Sequence, residues 1–300
     1  MPAWADVLKE IQMDEMNASG SLDRVRTKYL QQLNVLTGRN VIAYYSGWLQ
    51  NPDHAMCFIS DVDKNGLMET VHKLDRGRGL DVLLHTPGGD LAATESLVDY
   101  LHRMFGGDIR CFIPQLAMSV GTMIACACRE IFMGKQSNIG PIDPQFGGVP
   151  AVGILNEFEE AIARVQKEPG CWPVWQTIIG KYHPTLIGEC RNAIEMAGII
   201  VKDWLLKGML ADDENAGETA DRIVRKLNNR DGTELHARHI HAEEARSLGL
   251  KITMLEENDC LQDVVLTIHH AYMHTFANTD AIKIVENHMG RAMVLTLRAK

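Results

Sequence analysis

Three short stretches hold the groups best suited to chemistry: His85-Thr86-Pro87-Gly88-Gly89, Ala117-Met118-Ser119-Val120-Gly121-Thr122 and Ile139-Gly140-Pro141-Ile142-Asp143-Pro144-Gln145. A glycine pair permits positive φ and leaves backbone N–H groups uncovered, which suits a phosphate cradle or an oxyanion hole. The phosphate reading lacks its motifs, since neither GxGxxG nor GxxxxGK[ST] is present. A plain tight turn is the third reading of this stretch. Ser119 precedes a run of small residues, where the start of a helix offers free N–H groups. The N–H of Val120 then joins that of Gly89 against a tetrahedral oxyanion, with Gly88 in support. In the competing reading Ser119 is only the helix N-cap. It is not a GxSxG elbow, because position 117 is Ala. Asp143 stands between two prolines, and the residue before a proline is held extended. A carboxylate fixed in this way suits the task of orienting a histidine, although an Asp-Pro turn has the same signature.

Such groups need rigid elements beneath them. Residues 1–38 read as helical and stop at Thr37-Gly38. Asn40–Ser46, Leu80–Thr86, Ile109–Ile113 and Glu130–Met133 read as strands, and Leu91–Phe105 and Ser119–Cys128 as helices. This alternation predicts an α/β fold of mostly parallel strands, which presents functional groups at the carboxyl ends of its strands. Beyond about Gly147 the pattern is almost all helix, over 151–168, 185–210, 213–228, 242–248 and 258–290, with one strand near Leu250–Met254. The expected organisation is an N-terminal helical segment, 1–38, and a domain over 39–300 that becomes helical from about 151.

Taken together, HTPGG, AMSVGT and GPIDPQ resemble the Clp-protease/crotonase superfamily, and within it the serine dehydrogenase proteinase family. EEARSLGL (243–250) and HHAYMHT (269–275) extend the likeness to roughly residues 40–290. The resemblance implies a Clp/crotonase-like core and a serine peptidase acting on polypeptides without cofactor or metal, as a homo-oligomer. It also implies the triad. Clp subunits use the order Ser, His, Asp, but no histidine lies between Ser119 and Pro173 here. The look-alike family has the order Ser, Asp, His, with its histidine four residues before an isoleucine, a position held here by His236 before Ile240. Ser119 is then the nucleophile, Asp143 the orienter and His236 the base. The flanking sequence, Leu-His-Ala-Arg-His, departs from the family's pattern, so His239 is a rival base and His183 a more distant one. Signal peptide peptidase A and its relatives use a Ser–Lys dyad, which makes Lys135 a third rival if burial lowers its pKa. Two other functions share these loops: a crotonase-type enzyme acting on acyl-CoA thioesters, and an oligomeric scaffold without turnover.

Other features carry less. Asp61-Val62-Asp63-Lys64-Asn65-Gly66 imitates an EF-hand loop, but His72 holds the twelfth position in place of a bidentate Glu. An Asn-Gly turn leading into a helix is the better reading. His270 and His274 have the i, i+4 spacing of a zinc pair without the Glu of HExxH. The 30 Lys and Arg against 39 Asp and Glu give a net charge of −9, which argues against a nucleic-acid or anionic-membrane binder. Seven cysteines in no metal or redox spacing read as reduced thiols. With neither an export signal nor a run of about 20 apolar residues, a cytoplasmic location is expected. No Walker motif is present, so any ATP use would come from a separate ATPase partner.

Overall fold

The computed structural model describes residues 3–16, 20–228 and 238–297. Two helices open the chain, α1 (Trp4–Glu15) and α2 (Ser21–Thr37), and α2 ends where Gly38 turns left-handed at φ 71°. There follow β1 (Asn40–Ser46), α3 (Asp63–Val71), β2 (Leu80–His85), α4 (Leu91–Phe105), β3 (Ile109–Ile113), β4 (Leu116–Ala117), α5 (Val120–Cys126) and β5 (Glu130–Met133). The Asp90 carboxylate caps α4 by accepting from the Ala93 N–H at 2.7 Å. Short strands β6 (Asn138–Ile139), β7 (Gln145–Phe146) and β8 (Val149–Pro150) lead to helices α6 (Ala151–Lys167), α7 (Trp172–Ile179), α8 (Leu186–Lys207) and α9 (Ala216–Leu227). The chain closes with β9 (Ile240–His241), α10 (Ala242–Leu248), β10 (Ile252–Met254), α11 (Asp259–Asn278), β11 (Ala281–Asn287) and β12 (Ala292–Thr296).

Seven strands form one sheet in the order β10-β5-β3-β2-β1-β11-β12. The first five are parallel; β11 and β12 are antiparallel. The expected α/β core with a mostly parallel sheet is what the chain forms. One face of the sheet buries Ile42, Val82, Leu84 and Cys111 under α3, α4, α5 and the helices α8 to α10. The other buries Val41, Tyr45, Leu83 and Phe112 under α2 and α11. Helix α1 lies outside these, with Val7 and Ile11 packed on Val25 and Ala271.

Two expectations need correction. The helix read over 258–290 ends at Asn278, and Ala281–Asn287 is instead a fully buried strand beside β1. Its Lys283 and Glu286 disguised it, because charges in a buried strand are tolerable only when paired, and pairing is invisible in sequence. Asn65-Gly66 is no turn before a helix: α3 begins at Asp63, and Gly66 sits inside it where a side chain would strike Val285 and Met293. All seven cysteines are free thiols, five of them buried. Among the described residues no helix is long and apolar enough to cross a membrane.

Candidate active site

The three loops converge because a small second sheet gathers them. Strand β4 pairs in parallel with β6, and β6 pairs antiparallel with β9, Asn138 facing His241 and Ile139 facing Ile240. Thr86 bridges Ala117: its N–H donates to the Leu116 carbonyl (3.1 Å) and its carbonyl accepts from Met118 (3.0 Å). The ends of β2 and β4 are therefore laced side by side. Thr122, in the first turn of α5, ties the third loop to them. Its Oγ1 accepts from the Gly140 N–H (3.0 Å) and shares its own proton between the Ala117 and Gly140 carbonyls (2.9 Å each). Further along, the Ile142 N–H donates to the Leu227 carbonyl at 2.8 Å, and Asp143 is fully buried.

Ser119 occupies a strained turn from strand to helix, at φ 54° and ψ −123°. A positive φ is uncommon for any residue but glycine and is kept only where the surroundings enforce it. Its hydroxyl makes no hydrogen bond among the described residues and caps nothing, so the N-cap reading fails. Its carbonyl accepts from Thr122 (2.9 Å), Gly121 donates to Met118 (2.8 Å), and the Val120 N–H is left without an acceptor among the described residues.

The glycine pair shows why no other residue would serve. A Cβ on Gly88 (φ 105°) would stand 2.7 Å from Ser119 Cβ, and one on Gly89 (φ 156°) 2.3 Å from the Ile59 nitrogen. Ile59 holds that loop from outside, donating to the Gly88 carbonyl (2.8 Å) and accepting from Asp90 (2.9 Å). In such a parallel bridge the N–H of the middle residue points away from its partner. The Gly89 N–H accordingly faces away from Ile59 and finds no acceptor among the described residues. Gly89, Ser119 and Val120 line one cavity of about 410 Å³, together with Phe58, Ile142, Phe146 and the α8 face at Ala193 and Ala197. Ile142 and Pro144, the neighbours of Asp143, are both in that lining.

The candidate bases are dispersed. His236 lies outside the described residues. His239 is exposed and immediately precedes β9. Lys135 is exposed on the turn after β5, its N–H donating to Glu256 at 2.9 Å, and it is absent from the cavity lining. His183 is exposed between α7 and α8, its ring 2.9 Å from the Thr185 hydroxyl. His85 points away from the cleft into the layer under α11, tilted against Tyr45 and edge-on to His269. Burial lowers its pKa from 6.5 to about 3. The nearby Leu116 backbone opposes this only weakly, for neither ring nitrogen makes a well-formed hydrogen bond. His274 donates to the Trp4 carbonyl (3.1 Å), which docks α1 on α11. Among the described residues no three His, Cys, Asp or Glu side chains gather as metal ligands. Nothing in the sequence marks the task of Thr122 or the reach of Phe58–Ser60. The latter reaches Gly89 from thirty positions away and has no local signal.

An α/β sheet that lifts a strained, unpaired serine beside two free N–H donors has the make-up of a serine hydrolase built on strand ends. The ClpP-like SDH-type serine proteinase family matches residues 21–285, and the chain belongs to that family. Two proteins of Methanocaldococcus jannaschii, uncharacterized proteins MJ0137 and MJ1495, are each 29% identical to it over 195 residues, or 65% of this chain. The matched region spans 60% of the first relative's length and 59% of the second's. No solved structure matches the chain.

Proposed function

We propose that the chain is a serine peptidase that cleaves polypeptides through an acyl-enzyme on Ser119, without cofactor or metal. His236 takes the Ser119 proton as Oγ attacks the scissile carbonyl, and Asp143 holds the imidazole in the tautomer that can accept it. The carbonyl oxygen gains charge between the Gly89 and Val120 N–H groups. Collapse of the tetrahedral adduct expels the amine, which receives the proton from His236. Water, activated by the same base, then frees the acyl group. The apolar lining from Phe58, Leu91, Met123 and Phe146 favours a hydrophobic side chain beside the scissile bond.

Supporting this reading above all is the backbone of Ser119, held at φ 54° with its hydroxyl uncommitted beside two unsatisfied donors. For the base, the resemblance to the family, whose histidine stands four residues before the isoleucine held here by Ile240, favours His236 over His239. Exposed Ile162, Trp172 and Val174 on α6 and α7 support assembly into a homo-oligomer, and any ATP dependence would enter through a separate partner.

Reaction with a fluorophosphonate, followed by intact-mass and peptide mapping, tests the assignment. Labelling is expected at Ser119, lost in Ser119→Ala and His236→Ala and retained in His239→Ala and Lys135→Ala. Label on another residue, or an unreactive wild type in every assembly state, would overturn it.

A further inference from the structure

Two charged side chains that the reaction does not use are buried behind the cleft. Lys283 lies in the middle of β11 and Asp63 opens α3, and both are 0% exposed. Lys283 Nζ donates to the two Asp63 oxygens (2.8 and 2.9 Å) and to the Phe58 carbonyl (2.8 Å). Asp63 Oδ2 also accepts from the Ser60 N–H and the Tyr44 hydroxyl, each at 2.9 Å. The pair therefore grips residue 58 by its carbonyl and residue 60 by its N–H. Between those grips stands Ile59, the residue bonded to both sides of Gly89.

An apolar pair of the same volume often stabilises a fold as well as a buried ion pair does, so stability alone is a poor account of this one. Burial pulls the Lys283 ammonium below its ordinary range, while Asp63 opposes that pull. What an ion pair supplies and an apolar pair does not is fixed direction: Nζ has three donors and the carboxylate about four lone-pair sites. All are aimed at one three-residue segment, at the carboxylate itself, or at Tyr44.

We propose that the Lys283–Asp63 pair is the positioning device of the oxyanion hole, holding Phe58–Ser60 and through it the Gly89 N–H at its angle to Ser119. What Gly89 does rests on the peptidase reading; what holds it rests on the hydrogen-bond chain alone.

The test combines fluorophosphonate inactivation kinetics with hydrogen exchange on the whole chain. In Lys283→Met, the inactivation rate constant should fall about a hundredfold, the scale of an ångström-sized misplacement. The inhibitor's KI should hold, because the oxyanion contact matters in the bond-forming step. Amide exchange in 58–63 and 86–90 should quicken about tenfold or more. Tyr272→Phe, which removes a hydrogen bond to buried Glu286 on the same strand, should leave both readouts unchanged. Lys283→Met combined with Asp63→Leu restores an apolar match and a folded chain even where the single variant does not fold. The Phe58 carbonyl still lacks its donor there and the Ser60 N–H loses its acceptor as well, so both readouts should move at least as far as in the single variant. Wild-type exchange rates in the folded variants overturn the proposal, as does faster exchange with an unaltered inactivation rate. A wild type that never labels at Ser119 overturns the peptidase reading instead, and exchange still decides whether the pair holds the loop.

Discussion

His85 begins the HTPGG stretch yet serves the other side of the sheet, which gives the molecule a measurable acid sensitivity. Its folded pKa of about 3 lies below the ordinary 6.5, so between those values the unfolded chain binds a proton that the folded chain does not. Stability therefore rises with pH across that window and is fully present above it. One such group contributes about 1.4 kcal/mol per pH unit. His269, pushed the same way by burial and by its neighbours His85 and His270, adds to the slope. Urea unfolding of wild type and His85→Phe should agree in slope above pH 7. Below pH 6.5 the wild type should lose stability faster with falling pH, by about 1 kcal/mol per unit. Parallel curves would show that His85 is not the sensor. Lys283 and Asp63 teach a similar lesson at this scale, since their types are plain in the sequence and their pairing is not.

The elements divide by whether their evidence is local. Strands β1, β3 and β5 and helices α4 and α10 have the bounds that periodicity and the Gly106-Gly107 stop predict. Strand β11 reads as helix because a buried Lys and Glu look like one face of a solvated helix until their partners, Asp63 and Arg26, are seen. The site was legible in the same measure. Its three loops showed through residue types, but the φ of Ser119 and the grip of Ile59 on Gly89 arise from contacts distant in sequence. Thr122 shows what such a contact does. Thr122→Val keeps the shape while leaving the buried Gly140 N–H without its acceptor. That costs about 1–3 kcal/mol and frees the Asp143 loop from the Ser119 turn. Thermal unfolding should show the destabilisation, and labelling of Ser119 should slow. Thr122→Ser, which keeps the hydroxyl, should restore both. Unchanged labelling in the valine variant would mean that the two loops hold their places without the tie.

At the scale of the molecule, the first 38 residues divide into a dispensable part and an indispensable one. Helix α1 buries Val7 and Ile11, takes a hydrogen bond from His274 and is otherwise tied to α2 through Glu10 and Asp14, which accept from Lys28, Tyr29 and Arg24 near the surface. Each buried aliphatic contributes about 1.5–3 kcal/mol before the entropy of ordering the helix is subtracted. Helix α2 is different in kind. Leu30 and Leu33 are fully buried in the layer that covers β1 and β2. Arg26, 2% exposed, donates to Glu286 of β11 at 2.9 Å and to Thr275 at 2.8 Å. Removing one partner of a buried ion pair costs about 3–5 kcal/mol, and losing each leucine about 2–5 kcal/mol more. Against a total stability of about 5–15 kcal/mol for a domain, that sum leaves nothing to hold the sheet. A chain beginning at residue 20 should therefore fold, with a lowered melting temperature and Ser119 still reactive. One beginning at residue 39 should be insoluble or show no cooperative transition by circular dichroism. A cooperative melt of the shorter chain would mean that α2 is an appendage, and that the Glu286 carboxylate has found water or a proton instead.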